Sequence, residues 1–437
     1  MRNMPSLLMD KIAPDALYRK VSLRLVPFLF LCYVAAYLDR VNVGFAKLGM
    51  QADLQYSDTV YGLGAGIFFI GYFLFEVPSN LLMAKVGARI WIARIMISWG
   101  LISAALMFAA GPASFYVLRF LLGVAEAGFF PGIILYLTYW YPAGRRARIV
   151  ALFMSGVAVA GVVGGPLSGG IMRAFDGNLG LKGWQWLFLL EGIPSVLLGV
   201  WTLFYLDDGV RSARWLGEAE KQYLERAIAE DASGKARLPL GRLFASARVW
   251  LLALVYFLFV MGLYGVSFWL PQLVRNTGVQ DVFQVGLLTA IPYGVAAVAM
   301  VLAARHSDRS GERRWHAAIA AFLGAAGLAL CTRYGHDTLL AMLALSLATA
   351  GILSTFPIFW SLPTGMLGGA AAAAGIALIN SVGNLAGFVS PYLVGAVKDA
   401  TGSPAIGIYL VAASLAAGGL LVLAVSPPPS PPRLPGT

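Results

Sequence analysis

The chain has 437 residues, 59% hydrophobic and only 12% charged, with a mean hydropathy of +0.76. A soluble chain of this size carries about a quarter charged residues, so these numbers exclude a cytosolic enzyme, a disordered chain and a coiled coil. Two cysteines exclude a disulfide scaffold; Cys32 and Cys331 lie in apolar runs and read as small packing residues.

A helix needs about 20 apolar residues to cross a hydrocarbon layer of roughly 30 Å. After a charged N-terminal stretch (1–21), apolar segments fall at about 22–46, 58–83, 90–110, 114–141, 148–172 and 185–206. A polar loop over 207–248 follows, with amphipathic helical character at 218–231. Apolar segments resume at about 249–274, 281–304, 315–333, 338–361, 369–397 and 404–426, before a Pro-rich tail at 427–437. The reading is an all-α polytopic membrane protein with twelve transmembrane helices. Two six-helix bundles, 22–206 and 249–426, are joined by the middle loop. Asp39 and Arg40 interrupt the first apolar run, which argues against a cleavable signal peptide.

Lys and Arg concentrate on the side of the membrane facing the cytoplasm. With the N-terminus, middle loop and even-to-odd loops on one side, that side holds 24 Lys and Arg and the other only 6; Arg40 and Arg119 lie within spans. This predicts cytoplasmic termini. It also accounts for the net charge of +11 without any nucleic-acid partner.

The halves echo each other. Gly87 and Gly311 follow the second and eighth spans at an offset of 224, Gly62 and Gly286 share that offset, and Pro166 and Pro391 differ by 225. Repeats of this kind, related about an axis normal to the membrane and enclosing a midplane substrate site, are a transporter architecture.

The motifs resemble those of a known family. Gly161 to Gly170 reads GVVGGPLSGG, and Asp308-Arg309-Ser-Gly311-Glu-Arg313-Arg314 follows the eighth span; both are similar to motifs of the major facilitator superfamily. The first-half loop copy has Ala84 where an acid is expected. YLDRVNVGFA from Tyr37, GYFLFEVPSN from Gly71 and RFLLGVAEAGFFPG from Arg119 narrow the resemblance to the anion:cation symporter family. That family includes bacterial hexonate, tartrate and phthalate permeases and is related to vesicular glutamate and sialic-acid transporters. The resemblance implies the major facilitator fold, a bacterial inner-membrane location and a monomer. It also sets spans one and four side by side, with Asp39 near Arg119 and Arg40 within reach of Glu126 or substrate.

Ionisable groups near mid-bilayer cost at least ~2.5–3.5 kcal/mol on insertion scales, so they line pathways and pair with one another. Those deepest in spans are Asp39, Arg40, Arg119 and Glu126. Arg119 and Glu126 are seven apart, about 10 Å along one helix face; Asp39 and Arg40, being consecutive, point into different sectors. An Arg fork grips a carboxylate through two hydrogen bonds and stays charged, which makes Arg40 the first substrate ligand and Arg119 a second. Asp39 and Glu126 are the candidate proton carriers. Tyr37, Tyr72, Asn380, Ser381 and Asn384 are candidates for orienting a hydroxylated or aromatic acid. Gly161, Gly165, Pro166, Gly169 and Gly170, together with Asp308, Arg309 and Gly311, read as conformational and gating elements. Glu191 reads as a charge at an aromatic belt, and Trp360 as an interfacial tryptophan.

The functional expectation is import of a small organic carboxylate by proton symport with alternating access. The proton gradient is the energy source, with no metal or cofactor. A uniporter or anion exchanger is the nearest alternative. A membrane-embedded enzyme or a transport-dead receptor would need a polar constellation at an interface or binding without flux.

Overall fold

The computed structural model describes residues 13–233, 245–366 and 369–425. Among the described residues twelve helices are long and apolar enough to span a membrane: α1 (Pro14–Leu54), α2 (Asp58–Val86), α3 (Ala88–Phe108), α4 (Pro112–Thr138), α5 (Gly144–Phe175), α6 (Gly183–Tyr205), α7 (Ala247–Arg275), α8 (Val282–Ser310), α9 (Arg314–Arg333), α10 (Thr338–Pro363), α11 (Gly375–Thr401) and α12 (Ala405–Ala424). The described residues contain no strand. Large apolar side chains stand open on the outer faces, among them Phe204 at 81% and Leu302 at 59% exposure, a surface suited to lipid rather than water. The expected Pro-rich tail at 427–437 and most of the N-terminal stretch lie outside the described residues.

The helices exceed the apolar runs at several ends. α1 begins at Pro14, where proline at the first helical turn removes only an N–H without an intrahelical partner, and runs on to Leu54 past an interruption at Asn42. The helix over Glu218–Ser233 in the connecting loop is held to α1 by a Lys20–Glu220 ion pair at 2.7 Å.

The contacts divide into two compact units, one within Met1–Tyr56 and Ile67–Gly234, the other within Ser57–Gly66 and Lys235–Thr437. In the first unit, α3 and α6 cross where Gly100 meets Gly192. A Cβ on either would sit 2.7–2.8 Å from the other's carbonyl oxygen, the close approach that small residues give membrane helices. The turn between α2 and α3 resolves the missing acid of the first loop motif. Gly87 adopts φ +100°, and Asp208, from beyond α6, accepts the Arg89 N–H at 2.9 Å. The carboxylate that Ala84 does not supply comes from about 120 residues downstream.

In the second unit the corresponding loop is self-contained. Gly311 takes φ +70°, Asp308 pairs with Arg313 at 2.5 Å, and the Glu312 carboxylate accepts the N–H groups of Arg314 and Trp315 at 2.9 and 2.8 Å. Burial alone would raise the Glu312 carboxyl, but these donors and His316 outweigh it and hold it below the ordinary range. Residues 57–66, the first turns of α2, belong to this unit. The Asp399 carboxylate accepts the N–H groups of Asp58 and Thr59 at 3.0 and 2.7 Å, and Lys398 pairs with Asp58 at 2.9 Å.

Candidate functional site

The deep charges of α1 and α4 gather in the first unit. Arg40 forms an ion pair with the Glu126 Oε1. Arg40 is 9% exposed, and Arg119 and Glu126 are fully buried. The Arg40 guanidinium lies 5.4 Å from the Phe68 ring centre and 5.5 Å from that of Tyr72, and Arg119 lies 5.2 Å from Phe68 on a second approach. These are cation–π distances, at which the negative face of the ring attracts the guanidinium. Arg119 also acts electrostatically on Glu126. The result is two cations and one acid around an aromatic face, with the Glu126 Oε2 buried and lacking a hydrogen-bond partner among the described residues.

Two glycines build this arrangement. A Cβ on Gly123 would lie 1.9 Å from the Phe68 carbonyl oxygen, and one on Gly71 would lie 2.5 Å from that of Phe120. α2 and α4 therefore touch through their backbones, which sets Phe68 and Tyr72 against the charges. Gly123→Ala is expected to force the helices apart, at about 1–3 kcal/mol of stability as in overpacked cores. Thermal unfolding in detergent measures this, and an unchanged midpoint would contradict the backbone contact.

α4 is not continuous. Helix Pro112–Glu126 ends at Glu126; Ala127 is extended in ψ, Gly128 takes φ +85°, and a second helix runs over Phe129–Thr138. Pro131 is not the cause of the break: it falls in the first turn of the second half, where proline is tolerated. Gly128 makes the break possible: its φ favours glycine, and a Cβ there would sit 2.4 Å from the Ser79 Oγ. Interrupted helices of this type expose backbone polar groups at transporter sites.

Asp39 lies elsewhere than expected. Its carboxylate accepts the Trp99 Nε1 at 2.9 Å, the Ser103 Oγ at 2.8 Å and the Ser195 Oγ, donors from α3 and α6, rather than meeting Arg119. Because Asp39 and Arg40 project into different sectors, one faces α3 and α6 while the other faces α4. Glu191 is a second correction: instead of an interfacial charge it is a 4%-exposed side chain that accepts the Ser168 Oγ at 2.7 Å. An acid close behind GWQW looks like a span end in sequence, but α6 begins at Gly183 and carries Glu191 more than two turns inward.

The other candidates distribute as follows. Tyr37 and Tyr72 are buried in the first unit. Asn380, Ser381 and Asn384 are half-buried on α11 in the second unit, and Asn384 ends the half-helix Gly369–Asn384. Beside it, a Cβ on Gly383 would lie 2.1 Å from the Tyr256 ring, which in turn packs on Phe359 and Trp360 at 5.1 and 4.8 Å. Trp360 thus belongs to an aromatic cluster rather than to a simple interfacial belt. Gly161, Gly165 and Gly169 are buried along α5 and Gly170 is half-buried; Pro166 sits in unbroken helix, the interruption falling at Ser155. Asp308 and Arg309 are exposed in the last turn of α8, and Gly311 is exposed in the α8–α9 turn. Among the described residues no group of three or more His, Cys, Asp or Glu side chains could hold a metal.

The chain is 53% identical over 410 residues to an Agrobacterium vitis protein named for tartrate transport, covering 93% of this chain and 94% of that one. It is 49% identical over 412 residues to NicT of Pseudomonas putida, a protein named for metabolite transport, covering 94% of each. The solved structure of a D-xylose–proton symporter superposes with a TM-score of 0.74 at 16% identity, covering 93% of this chain and 98% of that one, a likeness of fold. Residues 29–391 match the sequence profile of the Major Facilitator Superfamily. With twelve apolar helices, two units and a profile match over most of its length, the chain is a multi-pass membrane protein that belongs to the major facilitator superfamily, a family of transporters rather than enzymes.

Proposed function

We propose that the protein imports a small organic carboxylate across the bacterial inner membrane by proton symport, with both termini cytoplasmic. The observation that carries this reading is the buried Arg40–Glu126 ion pair against Phe68 and Tyr72. An Arg already engaged by a carboxylate is a site where a carboxylate substrate competes with an internal one. Protonation of Glu126 neutralises the internal competitor, and the guanidinium then offers its planar fork to the anion. After reorientation, loss of the proton to the other side restores the ion pair and expels the substrate. Proton and anion are thereby coupled without a cofactor, in a cycle of alternating access.

Arg119 supplies a second positive charge, which supports a dicarboxylate, and the Phe68 and Tyr72 faces suit a flat or hydroxylated acid. The relatives named for tartrate transport support a tartrate-like substrate; phthalate-like and sugar acids fit the same chemistry. Moving more protons than the anion carries charges lets the membrane potential add ~2.3 kcal/mol per 100 mV for each net charge.

Thermal shift of the purified protein against a panel of mono- and dicarboxylates, repeated across pH, tests this reading. The expected result is stabilisation by dicarboxylates that strengthens as pH falls. Stabilisation by neutral sugars or amines, with no response to acids, would overturn it.

A further inference from the structure

The first unit buries a second acidic centre that the Arg40–Glu126 chemistry does not use. Asp39 on α1 and Glu191 on α6 are 1% and 4% exposed. Ser195, one turn from Glu191 on the same face of α6, donates to the Asp39 Oδ2, so a single helix face carries both Glu191 and a ligand of Asp39. The two carboxyls are close enough to interact electrostatically, and the Asn42 amide faces Glu191. Asp39 has three neutral donors on its two oxygens. Glu191 has Ser168 on Oε1, and the Asn42 amide as its second polar neighbour.

The charged groups on neighbouring elements are Arg40 and Lys47 on α1 and Glu126 on α4, of which Glu126 acts electrostatically on Asp39. α3 contributes Trp99 and Ser103, and α5 contributes Ser168. No cation is paired with either carboxylate among the described residues. Two ionised carboxylates this close in an apolar interior repel each other while lacking solvation, so the pair is driven to hold a proton. The three donors on Asp39 suit it to the charged form, and Glu191, with fewer donors, suits it to carry the hydrogen. A metal cation fits less well, because the Trp99 N–H and the serine hydroxyls occupy the Asp39 oxygens as donors.

We infer that Asp39 and Glu191 form a second proton-binding site, with the proton resident on the Glu191 carboxyl and Asp39 as its charged partner. An O–H bond forms at Glu191 when the site loads from one side and breaks when the proton leaves to water on the other; nothing else is consumed. This rests on the symport reading above and extends it to two protons per substrate, one at Glu126 and one here.

The test is the equilibrium accumulation ratio of a transported carboxylate in proteoliposomes of the full chain, with the potential clamped at zero and a pH gradient of one unit. Each proton moved per substrate multiplies that ratio tenfold per pH unit, since one pH unit is a tenfold free-energy step. The ratio is independent of rate, so a slow variant still reports it. Glu191→Gln is expected to lower the ratio about tenfold, and Glu191→Asp to restore it. A wild-type ratio indifferent to the gradient would overturn the symport reading itself. A gradient-driven wild type matched by Glu191→Gln would overturn this inference alone, as would a ratio set by external sodium. Infrared difference spectra of the purified protein across a pH titration give an independent readout of folded but inactive variants. The protonated-carboxyl band should lose one component in Glu191→Gln, and an unchanged band would contradict the site.

Discussion

Arg40→Lys is expected to weaken carboxylate binding by roughly ten- to a hundredfold while leaving the protein folded. Lysine keeps the positive charge opposite Glu126, so the buried acid is not abandoned, a loss that would cost about 3–5 kcal/mol. It cannot present two parallel N–H groups, and it loses the flat contact with Phe68 and Tyr72. A hydrogen bond to a charged group contributes about 1.5–3 kcal/mol, and each 1.4 kcal/mol is about tenfold in affinity, which sets the range. Calorimetric binding of the best carboxylate from the panel, beside a thermal midpoint in its absence, separates binding from stability. Retained affinity would remove Arg40 from the substrate site.

The second large effect is expected from Glu126→Gln. The Gln side chain is nearly isosteric and its carbonyl still accepts a hydrogen bond from Arg40, but it neither competes as an anion nor binds a proton. In the wild type, carboxylate affinity should fall as pH rises, because the ionised Glu126 reclaims the guanidinium. In the variant that dependence should flatten at the high affinity seen in acid. Gradient-driven accumulation should drop about tenfold per pH unit for the proton lost, while exchange at equal pH continues. An unaltered pH profile with intact uphill uptake would exclude Glu126 as a coupling acid.

Much of the architecture could be read from the chain. Hydrophobic run length gave twelve spans, and the offset of about 224 between Gly87 and Gly311 reflects two loops that both turn through a positive-φ glycine. The charges in α1 and α4 stood out because charge in an apolar helix is expensive, and the structure brings Arg40 to Glu126. What stayed hidden depends on contacts distant in sequence. Trp99, Ser103 and Ser195 are unremarkable in an apolar helix, and only the crossing of α3 and α6 at Gly100 and Gly192 turns them toward Asp39. Asp208 completes the first loop motif from the far side of the unit. Gly128 looks like any other glycine until its φ and the Ser79 hydroxyl are seen together. The consecutive pair Asp39-Arg40 shows both sides: the 100° between neighbours on a helix was predictable, but which sector faced α4 was not.

The most direct measurement is carboxylate uptake by the wild-type protein in proteoliposomes, with the outside made acidic, the potential clamped and no internal anion. Proton symport predicts accumulation above the external concentration that collapses when a protonophore dissipates the gradient. Uptake that is indifferent to the gradient, or that proceeds only against a preloaded internal anion, would contradict it.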